Sequence, residues 1–181
     1  FAGGSHGCGM GDQPRDRGSG DPSACSPSAT TDCHAAHDIS GRIVRAAVYR
    51  RFGAPEVVRV EEVRTPVPHR NEVLIRVRAS TVSTADYRAR TRVVPKGLAV
   101  PVAVSLGVFR PRRRILGMDV AGVVEAVGRG VRSYAPGDEV IAMLDARFGG
   151  HAQYVCVRAN AAIAPKPRNM TFAEAVAVVS G

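Results

Sequence analysis

The sequence predicts a mainly β, barrel-like domain with short helices, and three observations support this. From Arg45 onward, short apolar and β-branched runs follow one another closely, and clusters of Gly, Pro and Asp separate them. Only 5% of the residues are aromatic and none is Trp, so the core must use small aliphatic side chains, which suit strands. Close spacing of short strands between turns is typical of barrels.

The first forty residues differ in composition from the rest. They are rich in Gly, Ser, Pro, Asp and Ala and show neither helical nor strand periodicity. Such a segment buries too little apolar surface to offset the entropy of ordering, so we expect residues 1–43 to form a disordered tail. Cys33, His34 and His37 lie together within it, but a fourth zinc ligand and a framework to hold it are missing. No zinc site is expected there.

Two strand segments open the folded part. Residues 45–63 (RAAVYRRFGAPEVVRVEEV) contain two β-branched runs, with Gly53 and Pro55 at the turn between them. Residues 71–78 (NEVLIRVR) place apolar side chains on one side and arginines on the other, which predicts a half-buried strand.

Residues 115–144 predict a second pair of strands. An apolar run at 120–127 and a returning run at 139–144 are separated by turns at 128–130 and 136–138. The glycines at 128 and 130 lack the third Gly of a dinucleotide-binding fingerprint and have no helix behind them. We therefore interpret 128–130 as a hairpin turn.

The last part of the chain predicts one more strand and a helix. Residues 152–157 follow two glycines and have the apolar character of a strand. Thr171 and Glu174 then stand at the spacing of a capping box, so a helix is expected to begin there.

Charge, hydropathy and cysteine usage argue against several classes of protein. The net charge is +9, but many arginines stand singly in strand-like segments, where an outward charge is usual, so no nucleic-acid partner is expected. No stretch reaches the roughly 18 apolar residues of a membrane-spanning helix, and the opening lacks the pattern of a signal peptide. Three of the four cysteines lie in the first forty residues instead of spreading through the domain. We expect reduced thiols and a cytoplasmic location.

Six segments follow one another along the chain: residues 45–63, NEVLIRVRASTVSTADYRAR, ILGMDVAGVVEAVGRGV, PGDEVIAM, GGHAQYV and APKPRNMTFAEAVAVVSG. They resemble the medium-chain dehydrogenase/reductase superfamily, specifically its zinc-free quinone oxidoreductase and enoyl-reductase-like members. The resemblance implies a GroES-like, partly open β-barrel with short helices over residues 44–170. It also implies that 171–181 begin the linker helix to a nucleotide-binding Rossmann domain, which is absent from this chain.

The resemblance suggests expectations for the two ends of the chain. Members usually start at a Met just before the residue matching Arg45, where Val44 stands here. We interpret Val44 as an alternative start codon, with residues 1–43 upstream of the native coding sequence. Without the Rossmann domain, which holds most of the cofactor, the chain is expected to be inactive alone. The full-length form is expected to be a monomer or a homodimer.

The positions that match zinc ligands in zinc-dependent relatives carry other side chains. By resemblance, the cysteine ligand corresponds to Ser83, and a His-Glu pair corresponds to Met118 and Asp119. Neither Ser nor Met replaces a thiolate or imidazole as a donor to catalytic zinc. We therefore expect no metal.

The resemblance then implies hydride delivery from NADPH to a quinone or an α,β-unsaturated carbonyl, a small, lipophilic and electron-poor substrate. It places Ser83 and Thr84 against the cofactor, where Ser83 stands at a position that is often Asn. Ser83 and Tyr87 are the expected catalytic residues, and Tyr87 can donate a hydrogen bond to the acceptor oxygen or simply pack at the edge of the core. Asp86 is expected to cap the following helix. Asp119 is expected to pair with a backbone amide or an arginine.

Two alternatives stay open from sequence. Residues 91–114 have an apolar middle between basic clusters, which suits a lid over a lipophilic acceptor or an ordinary surface loop. The chain is interpreted as a fragment of an NAD(P)H-dependent oxidoreductase. The alternative is a stand-alone GroES-like binding module without catalysis.

Overall fold

The computed structural model describes residues 41–93, 107 and 109–179. Residues 1–40 of the predicted tail, with the Cys33-His34-His37 group, and the apolar middle of residues 91–114 lie outside these residues. Residues 41–43 of the predicted tail are described, and Ile43 belongs to the first strand. The described part contains two α-helices, two short 3-10 turns at Pro55–Val57 and Asp145–Arg147, and seven strands. The strands are β1 (Ile43–Tyr49), β2 (Val58–Arg64), β3 (Glu72–Ser80), β4 (Asp119–Val127), β5 (Glu139–Met143), β6 (Tyr154–Arg158) and β7 (Ile163–Pro165), and the helices are α1 (Thr84–Thr91) and α2 (Phe172–Val179).

The seven strands form two antiparallel sheets. Five of them make one sheet in the order β6-β3-β4-β5-β7, and β1 pairs with β2 in the other. The free edge of β1 also bonds to the rest of the barrel, because Ala47 N–H donates to the His151 carbonyl at 2.8 Å and Tyr49 N–H donates to the Arg114 carbonyl at 2.8 Å. The prediction of a mainly β domain with short helices is confirmed.

The main core fills the space inside the larger sheet. It contains aliphatic side chains from four strands and the loops between them: Val73, Ile75, Val120, Val124, Val131, Val140, Ala142, Leu144, Val155 and Val157. Each buried methylene contributes about 0.8 kcal/mol to the free energy of folding. Many small aliphatic side chains can therefore stabilise this core although the sequence has few aromatic residues.

The prediction of a half-buried strand at residues 71–78 is only partly right. Leu74, on the face opposite Val73 and Ile75, is also fully buried and packs with Ala126, Tyr154 and Cys156. Side chains from β4 and β6 pack beside Leu74, and α2 lies against β3 and β4, an arrangement that local alternation cannot reveal.

A turn at residues 128–130 is confirmed, and it belongs to the connection between the antiparallel strands β4 and β5. It does close a tight turn, with Val131 N–H donating to the Gly128 carbonyl at 2.9 Å, but residues 128–138 together connect β4 to β5. A Cβ on Gly128 would lie 1.9 Å from the carbonyl oxygen of His69. Glycine is needed at position 128 because two backbone segments touch there, a contact between distant segments that the sequence did not predict.

The described part of the chain begins with β1 and ends with α2. The first strand begins at Ile43, and the Arg42 carbonyl accepts bonds from both the backbone and the hydroxyl of Thr65. The predicted capping box at the start of α2 is confirmed, since Thr171 N–H donates to the Glu174 carboxylate at 2.8 Å and Glu174 N–H donates to the Thr171 hydroxyl at 3.3 Å.

A buried lysine holds the approach to α2 in place. The Lys166 ammonium contacts the Glu139 carboxylate at 3.1 Å and donates to the carbonyls of Pro167 at 3.0 Å and Met170 at 2.7 Å. It also lies 5.2 Å from the ring centroid of Phe172. These contacts link β5 to the segment that leads into α2, and α2 itself lies against β3, β4 and β5.

Cys156 carries a free thiol in the described part of the chain, and the other three cysteines lie outside it. Burial, and secondarily the negative charge of Glu72, raises the pKa of this thiol to about 12. A thiol of this kind is protonated at neutral pH, so Cys156 behaves as a small packing residue and not as a nucleophile.

No helix among the described residues is long and apolar enough to cross a membrane.

Candidate functional site

The predicted site residues lie where β3 ends and α1 begins. Ser83 is the N-cap of α1, in extended conformation with φ −111° and ψ 168°. Its backbone N–H donates to Asp86 Oδ2 at 2.8 Å, and its hydroxyl donates to the same oxygen at 3.1 Å. Ser83 and Asp86 thus form a capping box, which fixes Ser83 and leaves its hydroxyl oxygen able to accept one more bond.

The Asp86 carboxylate also joins α1 to the segment before β4. Its Oδ1 accepts the backbone N–H of Gly117 at 2.7 Å, and the side chain as a whole is buried. Three donors therefore surround one carboxylate, which offsets the cost of its burial. The prediction for Asp86 is only partly right: it takes part in capping, but from the third position inside α1, with Ser83 as the N-cap, and its bond to Gly117 is an additional role.

The negative charge of Asp86 affects the pKa of a buried tyrosine. Burial, followed by the negative charge of Asp86, raises the pKa of the Tyr49 hydroxyl to about 12. Tyr49 packs with Ala89, Leu116 and Phe148 beneath α1, so its role is to support the helix from below.

Asp119 does not pair as expected. The predicted partner was a backbone amide or an arginine, but Oδ2 accepts the Thr81 hydroxyl at 2.9 Å. The reason is strand register: Ser80 lies opposite Val120, which brings Thr81 beside Asp119. The other oxygen, Oδ1, is buried without a hydrogen-bond partner among the described residues. Such an oxygen is costly to leave unpaired, so a donor from solvent or ligand would be favourable here.

His151 was not singled out by the sequence, yet it connects three segments of the site. Its Nε2 lies 3.0 Å from the carbonyl of Thr81, its backbone N–H donates to Leu116 at 2.9 Å, and its carbonyl accepts Ala47 N–H. Gly117 has φ +92°, and a Cβ there would lie 2.7 Å from the His151 ring. The only sequence signal was a histidine directly after two glycines, which is weak evidence by itself.

Tyr87 lies one helical turn after Ser83 and is 52% exposed. The Arg90 guanidinium lies 5.7 Å from its ring centroid, and no described residue hydrogen-bonds its hydroxyl. Thr84 is exposed at the first position of the helix. The structure therefore brings Ser83, Thr84 and Tyr87 together at one end of α1, and both Thr84 and Tyr87 keep a free hydroxyl.

The positions compared with zinc ligands offer a poor donor set. The Ser83 hydroxyl proton is used by Asp86, and Met118 packs against the cluster formed by Tyr49, Ala89, Leu116 and Phe148. Within residues 41–93, 107 and 109–179, no three His, Cys, Asp or Glu side chains are grouped in a way that could hold a metal ion. The arrangement is suited to hydrogen bonding.

The Asp86 cluster generates a direct stability test. Asp86→Ala removes the helix cap and leaves the Gly117 N–H without its partner, so we expect a loss of about 2–4 kcal/mol in the free energy of unfolding. Asp138→Ala is the matched control, because the exposed Asp138 carboxylate accepts a single backbone bond from Ala135. Urea unfolding measures both variants. Equal and small losses in the two would contradict a central role for Asp86.

Residues 69–168 match the profile of the alcohol dehydrogenase GroES-like domain. The chain is 33% identical over 129 residues to the quinone oxidoreductase of Sus scrofa, with 71% of this chain and 35% of the relative covered. It is 30% identical over 138 residues to that of Lama guanicoe, with 76% and 38% covered. The chain thus spans less than half the length of these relatives.

Solved structures agree with the sequence comparisons. The quinone oxidoreductase from Coxiella burnetii superposes with a TM-score of 0.63 at 26% identity, over 75% of this chain and 40% of that one. An alcohol dehydrogenase superfamily protein from Novosphingobium aromaticivorans gives 0.59 at 31% identity, over 74% and 37%. The chain therefore belongs to the alcohol dehydrogenase GroES-like domain family, the N-terminal part of medium-chain dehydrogenase/reductase proteins.

Proposed function

We propose that this domain forms the substrate side of an NAD(P)H-dependent oxidoreductase that reduces a quinone or an α,β-unsaturated carbonyl without zinc. The observation that carries the proposal is the half-exposed Tyr87, whose hydroxyl has no hydrogen-bond partner among the described residues, one turn after the N-cap Ser83. The similarity to quinone oxidoreductases from two mammals supports the choice of acceptor.

The side chains at the start of α1 suit the nicotinamide end of the cofactor, which supplies a hydride when bound. A carboxamide presents one N–H₂ donor group and one carbonyl acceptor. Ser83 can accept, since its own proton points to Asp86, and the exposed hydroxyl of Thr84 can donate. Ser83 and Thr84 are therefore proposed to orient the nicotinamide, and the rest of the cofactor requires residues outside this domain.

Tyr87 is proposed to donate to the acceptor oxygen. Negative charge collects on that oxygen as the hydride arrives at the conjugated system, and a phenol donor at hydrogen-bond distance stabilises it. The adjacent guanidinium of Arg90 favours the same charge. The donors are held on a capped helix, so little reorganisation is needed during the reaction.

The zinc-free part of the proposal rests on the donor set. A Ser hydroxyl bound to a carboxylate and a packed Met thioether do not supply the thiolate and imidazole ligands that catalytic zinc takes. Asp119 is tied to Thr81 through one of its oxygens. A quinone or enone needs no Lewis acid to become electrophilic, which agrees with this chemistry.

Steady-state kinetics on the full polypeptide that the gene encodes test the proposal. We expect NADPH oxidation with quinones or enones, unchanged after prolonged treatment with a zinc chelator, and negligible oxidation of primary alcohols. Activity confined to alcohols and lost on chelation would contradict it. A folded full polypeptide with no reductase activity would favour the alternative, a binding module without catalysis.

The role of Tyr87 has its own test. Tyr87→Phe removes only the hydroxyl, and we expect kcat/KM to fall by roughly 10- to 1,000-fold, with the smaller loss for quinones, while NADPH affinity changes little. Tyr134→Phe is the matched control, because it removes a hydroxyl that donates to the Ile163 carbonyl at 2.9 Å, away from α1. Wild-type rates for Tyr87→Phe on both acceptor classes would contradict this role and leave Tyr87 as a packing residue.

A further inference from the structure

A concave surface of about 530 Å³ lies between the β1–β2 hairpin and residues 109–114, apart from the residues of the candidate site. Two glutamates, Val57 and Phe109 line it together with five arginines. We call it the arginine groove, and its charged residues are Arg50, Arg51, Glu56, Arg59, Glu61, Arg110 and Arg114.

Positive charge in the arginine groove is largely uncompensated. Arg50 binds the Glu61 carboxylate, with Nε 3.0 Å from Oε1. The four other arginines have no carboxylate within 4 Å in the described part of the chain. Like charges placed together repel one another, so a folded protein that gathers them in a concavity gains when an anion enters.

The arginines of the groove act together on the Glu61 carboxyl, whose pKa they lower. The hydrogen bond from Arg50 lowers the pKa of the Glu61 carboxyl, and the charges of Arg114 and Arg59 lower it further. One carboxylate thus faces three guanidinium groups that come from distant parts of the sequence. Among these three groups, Glu61 forms an ion pair only with Arg50.

The backbone positions of the groove are fixed by strand pairing. Arg59 lies opposite Val48 in the β1–β2 register, and the Arg114 carbonyl accepts Tyr49 N–H at 2.8 Å. Guanidinium groups mounted on paired strands can form bidentate bonds to phosphate oxygens with a limited entropic cost.

An aromatic side chain stands at the same surface. Phe109 is 91% exposed, next to Arg110 in sequence, and lines the groove with Val57. A volume of about 530 Å³ is well above that of a lone phosphate and falls in the range of small-molecule sites. Exposed aromatic rings beside arginines are the pattern with which proteins stack bases and hold phosphates.

From this combination we propose that the arginine groove binds a nucleoside diphosphate, with the diphosphate on the unpaired arginines and the base against Phe109. This site is separate from the proposed catalytic residues, so either proposal can fail without the other.

Isothermal titration calorimetry of this chain with ADP, pyrophosphate and adenosine tests the site at low ionic strength. We expect ADP to bind with Kd of about 10 μM to 1 mM, more tightly than pyrophosphate, and adenosine to bind much more weakly than either. Arg59→Gln combined with Arg114→Gln should weaken ADP binding by about tenfold or more. Phe109→Ala should weaken ADP by about fivefold or more and leave pyrophosphate nearly unchanged.

The control removes the same charge elsewhere. Arg64→Gln combined with Arg132→Gln changes two exposed arginines outside the groove, and ADP affinity should stay within about twofold of wild type. Thermal unfolding establishes that each variant is folded. Equal weakening in both double variants, or no ADP binding by the folded wild type at millimolar concentration, would overturn the site. Binding to vesicles of phosphatidylcholine and phosphatidylserine in equal parts, without ADP binding, would overturn it in favour of a lipid surface.

Discussion

The buried carboxylate of Asp86 is the interaction on which the site depends. It receives three hydrogen bonds, two from Ser83 and one from Gly117, and so joins the start of α1 to the segment that enters β4. Without these donors, a carboxylate buried to this degree would be strongly unfavourable. Because it has them, the helix begins at a defined residue and presents Thr84 and Tyr87 at a fixed edge of the barrel.

The surrounding contacts restrict the same segments from other directions. His151 holds the carbonyl of Thr81 and the backbone of Leu116, and the Thr81 hydroxyl in turn binds Asp119. Gly117 must be glycine both for its positive φ and because the His151 ring leaves no room for a Cβ. The region is thus a small polar network on the cluster that contains Tyr49 and Phe148. Within it, Oδ1 of Asp119 is buried without a hydrogen-bond partner among the described residues, so a further donor would be favourable there.

Local patterns in the sequence predicted the local structure well. The strands, the capping box at Thr171 and the capping role of Asp86 depend on residues within four positions of one another, so spacing alone reveals them. What the sequence could not predict depends on contacts between distant segments. The burial of Leu74 needs a covered second face, the Thr81–Asp119 bond needs the β3–β4 register, and the arginine groove gathers residues 50, 59 and 114. His151 was missed for the same reason.

Amide hydrogen exchange measured by NMR tests the central role of Asp86 most directly. The N–H groups of Ser83 and Gly117 both lie in loops, where exchange is ordinarily fast, and their partner in each case is the Asp86 carboxylate. We expect both amides to exchange at least about 100-fold more slowly than in an unfolded chain, and to lose this protection in a folded Asp86→Ala variant while the Val124 amide in β4 keeps its own. Rapid exchange of Ser83 and Gly117 in the wild-type protein would contradict the account.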